Sequence, residues 1–376
     1  MGTATDRVFI HIGLPKTGTT YLQTLVWSNR DAVQEAGLLL PGRERRDHLL
    51  ASMVVRGDRN VVRRGPGAAE AWDRLRAAVA DHRGTSLISH EFFCSASTAQ
   101  WDRLVSDLAP AEVHVVVTAR EPLGLFVSSW QESLKNRHTE ALEDYGRTVS
   151  DDPTVIWDWR ALDLGLVLER LRPAVPDDRV HVVVGPGPGE PRSELWRRFA
   201  AVVGIEQDVL DAEAGFANSS MGVVEAELLR RVNGHLGVLG PAYERARWIR
   251  TLLADRLLVR PDAERFRPAD DQVADVRARG ERALALLASG RYDVVGDPEL
   301  LRVPSDVPAR RHPSEVTDAE LLDASVRLNA TLLQEVRART YRLEETEGEL
   351  ERLRRQEAAR PSVRVRRKIA RMRARL

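Results

Sequence analysis

The chain has 376 residues, more than a single hydrophobic core normally supports, so it must hold one large domain with an appendage, or two domains. Apolar residues at 43% and charged residues at 30% suit a globular protein and exclude a collagenous or wholly disordered one. Basic and acidic side chains balance at 56 each, so no overall field draws the molecule to nucleic acid or membrane, and any anion site is local.

One cysteine, Cys94, excludes an internal disulfide, and no Cys/His cluster has metal-ligand spacing. The N-terminus lacks the pattern of a signal peptide, and no stretch reaches the roughly 20 apolar residues of a membrane span. These features predict a soluble, cytoplasmic protein working without metal or nucleic acid. Of the basic residues only Lys16, Lys135 and Lys368 are lysines. A lysine kept against such an arginine bias marks a site that wants a compact ammonium; Lys368, in a basic tail, is read as chance.

Residues 8–12 read as a buried strand and 19–27 as the helix after it, with a Gly/Pro-rich turn between. Further strands are predicted at 86–89, 113–118 and 180–184, separated by helical segments. Strands alternating with helices predict an α/β fold, a mainly parallel sheet flanked by helices. Ligands of such sheets collect at the C-terminal strand ends. Gly13 to Thr20 follow the first strand, His90 and Glu91 the second, and Arg120 the third.

About 222–290 is helical in pattern, and 292–297 reads as a last segment docking on the first domain, taken as residues 1–300. Three prolines mark a linker at 301–315, and 316–376 form a C-terminal helical extension. In it Val336, Leu343 and Leu350 lie seven apart, with Leu332 and Leu353 offset by four and three, while Arg339 and Thr346 interrupt the alternate positions. A coiled coil, and with it an oligomer, and a helix packed on its own domain both fit. Beyond Pro361 the tail has basic residues and no acid, open to docking on an anionic surface or to solvation.

The chemistry concentrates in His11-Ile-Gly-Leu-Pro-Lys-Thr-Gly-Thr-Thr20. A nucleoside-triphosphate P-loop places lysine directly after its second glycine. Here Thr19 follows Gly18, and the lysine stands inside the loop at position 16. Backbone N–H groups of a glycine turn at a helix start bind an anionic phosphate ester. Thr17, Thr19 and Thr20 add hydroxyls, and Lys16 can reach an oxygen bridging the phosphate to a transferring group.

Pro15-Lys-Thr-Gly-Thr-Thr20 resembles the 5′-phosphosulfate loop of the PAPS-dependent sulfotransferases at every position. A second match is a strand ending in Arg120, then Glu121-Pro, then Ser128 eight residues after the arginine. Glu121 stands where the family has Asp or Asn. The resemblance covers roughly residues 6–300. It implies PAPS as co-substrate with no metal, Lys16 stabilising the leaving phosphate, and Arg120 with Ser128 on the 3′-phosphate. It also implies a base across from Lys16, Glu91 or His90, with Glu91 favoured. Adjacent side chains at a strand end point opposite ways, so only one of the two is expected to face the donor.

The enzyme expected is a PAPS-dependent sulfotransferase acting on a hydroxyl or amine of a glycan or small-molecule acceptor. Its rivals are a P-loop kinase or NTPase and an inactive nucleotide-fold binding module. Lys135, His48, and the turn at Asn218 to Ser220 are secondary candidates, each with an ordinary structural reading: a solvated helix position, a structural histidine and a helix cap.

Overall fold

The structure is a computed structural model that describes residues 6–207, 210, 220–237, 239 and 242–359. The turn at Asn218 and the basic tail beyond Pro361 lie outside these residues. The chain divides into two units, residues 1–315 and 316–376.

The first unit is built on a six-stranded sheet in the order β2-β3-β1-β4-β5-β6, every pairing parallel. The strands are β1 (Arg7–Gly13), β2 (Leu38–Leu39), β3 (Thr85–Ser89), β4 (Glu112–Ala119), β5 (Val180–Val184) and β6 (Asp293–Val295). β1, β3, β4 and β5 are near-continuous apolar runs because helices cover both faces of a parallel sheet. Ile10, Val115, Val117 and Val182 have no exposed surface. The segment at 292–297 contributes a sixth strand rather than merely docking.

From β1 the chain travels to one side of the sheet to make β2 and β3, then crosses to the other for β4, β5 and β6. The C-terminal end of β1, between β3 and β4, is therefore the place where a crevice opens. His11 fastens the three strands there. Its Nδ1 lies 2.8 Å from Ser89 Oγ of β3, and its Nε2 3.3 Å from Thr118 Oγ1 of β4. Burial pushes its pKa down to about 4, so it is a neutral brace and not a charge in the site.

Two helices serve the crevice, α1 (Thr19–Ser28), which leaves the loop after β1, and α2 (Pro122–Lys135), which leaves the end of β4. Pro122 opens α2 at a position where its missing N–H costs nothing. Glu121 caps it, its carboxylate accepting the N–H groups of Leu123 at 2.5 Å and Gly124 at 2.7 Å. This accounts for the acidic residue after Arg120, since Glu121 performs the capping role usual for Asp or Asn.

The second unit contains the helix α3 (Asp318–Ala359), 42 residues long. No helix among the described residues is long and apolar enough to cross a membrane.

Candidate active site

The loop between β1 and α1 is shaped by three left-handed residues, Gly13 (φ 80), Lys16 (φ 65) and Gly18 (φ 96). Two are glycines, for which this conformation carries no steric cost; Lys16 is not, and a non-glycine residue held there stores strain typical of functional loops. The loop is pinned from within. Leu14 donates its N–H to the Thr118 carbonyl at 2.7 Å, and the Thr17 hydroxyl donates to the Leu14 carbonyl at 2.6 Å and meets Thr118 Oγ1 at 2.6 Å. Thr17 is buried and serves the loop's shape. Thr19 is buried at the head of α1, and Thr20 is exposed.

Gly18 is the N-cap of α1 and offers no side chain to the first turn. The amides that open the helix are left for an anion, and the helix dipole favours one there. Both glycines also sit tight. A Cβ on Gly13 would lie 2.7 Å from the Cβ of Glu91, and one on Gly18 would lie 2.4 Å from Leu195 Cδ2.

Lys16 does not hang free. Its Nζ donates to Glu132 Oε2 at 3.0 Å, and Arg250 pairs with the other oxygen of the same carboxylate. Glu132 is almost wholly buried on α2. Burial alone would raise its pKa, but the charges of Lys16 and Arg250 and their hydrogen bonds outweigh that and hold it at about 2. Lys135, one turn on, is buried and pairs with Asp255 at 2.5 Å, which makes it structural in this arrangement.

Arg250 and Asp255 come from Arg245–Leu257, thirteen residues wound as a π-helix. In an α-helix residues five apart are turned about 140° from each other. The wider π turn brings them to one side, where they meet Glu132 and Lys135, three apart on α2.

Arg120 leaves the end of β4 toward the loop, its Nη1 3.5 Å from the Lys16 carbonyl. Its guanidinium lies over the first turn of α2, where a Cβ on Gly124 would come within 2.7 Å of Nη2. Ser128 lies one and a half turns into α2 and is half-buried. Pro15 is buried in the loop.

On the β3 side, Glu91 packs on Gly13 and accepts a hydrogen bond from Gln23 Nε2 of α1 at 3.1 Å. Gln23 Oε1, also buried, has no partner. The expectation that His90 and Glu91 point apart is corrected. β3 ends at Ser89 and the chain turns at once into the short helix Glu91–Ser95, so the strand alternation no longer applies. His90 Nδ1 comes within 3.9 Å of Glu91 Oε2. Their chemistry differs. His90 Nδ1 accepts the Phe92 N–H at 3.2 Å, and burial pushes the ring's pKa down to about 4, so it is neutral with that lone pair engaged. Burial acts to raise the pKa of Glu91, but His90 whenever it is protonated, the hydrogen bond from Glu91's own backbone N–H, the Gln23 hydrogen bond and the charge of Arg45 together carry it below the usual carboxylate range. Glu91 is an ionised carboxylate on a residue packed against the loop.

His48 is structural. Fully buried on the helix Arg45–Val55, it accepts the Ser89 N–H at Nδ1 (3.0 Å) and donates from Nε2 to the Pro41 carbonyl (2.8 Å). Among the described residues no group of three or more His, Cys, Asp and Glu side chains is arranged to hold a metal ion.

The fold and site together define an α/β protein with a glycine-rich loop opening a helix at the switch point of a parallel sheet. No family model matches the chain, and no curated protein matches it. Among solved structures it is similar to a sulfotransferase from Alicyclobacillus acidocaldarius, at 17% identity and a TM-score of 0.36, over 57% of this chain and 87% of that one.

Proposed function

We propose that the protein transfers a sulfuryl group from PAPS to a hydroxyl or amine of a glycan or small-molecule acceptor. The observation that carries this reading is the convergence of three residues on one loop: Lys16 inside it, Arg120 against its carbonyl side, and Glu91 packed by its Cα and Cβ on the first glycine. A donor with a 5′-phosphosulfate suits the uncapped amides of α1, and a 3′-phosphate suits the Arg120 fork at the start of the helix that carries Ser128. Sulfuryl transfer, like phosphoryl transfer, is driven by positioning and charge stabilisation. Lys16 neutralises charge developing on the leaving phosphate, and Glu91 takes the acceptor's proton as the new bond forms. The lysine's place before Gly18, instead of after it, sets the reading apart from a P-loop kinase or NTPase.

Thermal stabilisation tests the donor. Adenosine 3′,5′-bisphosphate should raise the melting temperature more than ATP with Mg²⁺ does; the reverse order overturns the proposal. Incubation with labelled PAPS and a broad acceptor set, read by mass spectrometry, should then yield a sulfated product that identifies the acceptor.

A further inference from the structure

The helix α3, at 42 residues, is about 63 Å long. Thirteen large hydrophobic side chains are exposed among the described residues, and eight of them lie on this one helix. Residues 340–357 are exposed without exception. A helix of this kind gains little from its own propensity, since helices in proteins are stabilised chiefly by burying an apolar face.

Leu322, Val326, Leu333, Val336 and Leu343, each 58 to 71% exposed, follow one another at intervals of four, seven, three and seven. Asn329 and Thr340 fill the two places left in the same stripe, which completes an alternation of three and four over three heptads. The seam is therefore displaced from the one the sequence pattern suggested through Leu332 and Arg339. Those two are half-buried, while Leu333 is the most exposed leucine of the helix.

The stripe is complementary to itself. Against a parallel copy in register, leucine meets leucine and valine meets valine. Asn329 meets Asn329, whose amide both donates and accepts, so neither is left unsatisfied. At the flanks Arg339 stands beside Glu344 of the other copy, and symmetry makes that pair twice. Of the other flanking pairs, Ser325 with Ala330 and Leu332 with Arg337 hold no like charges, whereas Asp318 with Asp323, beside Leu322 at the N-terminal end of the seam, sets carboxylate near carboxylate. At Glu347 the stripe would set carboxylate against carboxylate, and there the pairing ends. We propose that the occupant of this face is a second copy of the chain, joined through a parallel, in-register coiled coil from Leu322 to Leu343.

Sedimentation equilibrium of the full chain should give twice the 42.1 kDa of one copy. Leu333→Glu combined with Val336→Glu should weaken association about 1,000-fold, because four carboxylates would be buried in the seam. Both side chains are exposed in the single chain, so the fold of residues 6–315, followed by near-UV circular dichroism, should be retained. Val336→Cys should form a disulfide between copies on oxidation, since Cys94 is buried and cannot compete. A monomer at every concentration, an assembly of three or more, a dimer indifferent to the double substitution, or a dimer that Val336→Cys does not cross-link overturns the proposal.

Discussion

The ammonium of Lys16, in the loop after β1, is bound at 3.0 Å by the carboxylate of Glu132, 116 residues away on α2. Arg250 holds the same carboxylate from the far side, so one buried acid serves two cations. The Lys16 side chain is thus held in one direction, and under the proposed sulfuryl transfer that is the preorganisation charge stabilisation requires.

The first expectation concerns stability. Glu132→Gln leaves both cations without their counter-charge, but each is about a third exposed and can turn to water, so the cost is discounted to about 1–2 kcal/mol. Urea denaturation at neutral pH measures it. The pH dependence has a definite sign. The folded-state pKa of Glu132 is depressed from 4.5 to about 2, so its contribution is fully present above pH 4.5 and is lost as pH falls toward 2. Wild type should therefore lose more stability than Glu132→Gln across that window; parallel curves would show that the network contributes nothing.

A second expectation concerns Arg120. Arg120→Ala should weaken adenosine 3′,5′-bisphosphate by about 100-fold, the loss of a charged hydrogen-bonded pair of about 3 kcal/mol, and leave AMP within a few-fold. Titration calorimetry with both ligands separates the outcomes. Equal losses for the two would place Arg120 on something other than the 3′-phosphate.

Much of this site was legible in the sequence, because strand, glycine turn and helix follow local rules. β1, β3, β4 and β5 fall within one residue of their apolar runs. β2 escaped because two residues cannot show an alternation, and β6 because one exposed and two half-buried residues at a sheet edge carry little apolar signal. Glu132 escaped for a different reason. Ser128, Glu132 and Lys135 share one face of α2 by their spacing of four and three, so the face could have been read. Which lysine it meets depends on tertiary structure. Arg250 was beyond reach, since its meeting with Glu132 depends on a π winding that no hydrophobic period announces.

The loop's shape gives a third expectation. Gly18→Ala meets Leu195 Cδ2, the movable end of a side chain, but also forces a Cβ into a left-handed conformation at φ 96. The conformational cost, about 1–2 kcal/mol, should survive when Leu195→Ala makes room. Thermal melts of the single and double variants check this. Full recovery in the double variant would show that crowding, not backbone conformation, requires the glycine.

The last expectation decides between the two candidate bases. Glu91 is ionised and packs on the loop, whereas the neutral His90 already spends Nδ1 on the Phe92 amide. Glu91→Gln should lower kcat by about 10²–10⁴ while donor binding persists, since general-base catalysis is worth that much. His90→Asn should cost less and act through the turn it caps. Gln23→Met keeps the volume but removes the hydrogen bond that helps hold the Glu91 pKa down. Weaker support for the carboxylate raises that pKa, so the acid limb of the kcat profile should move to higher pH in Gln23→Met and disappear in Glu91→Gln. An acid limb that persists in Glu91→Gln and moves with His90 instead would transfer the role to the histidine.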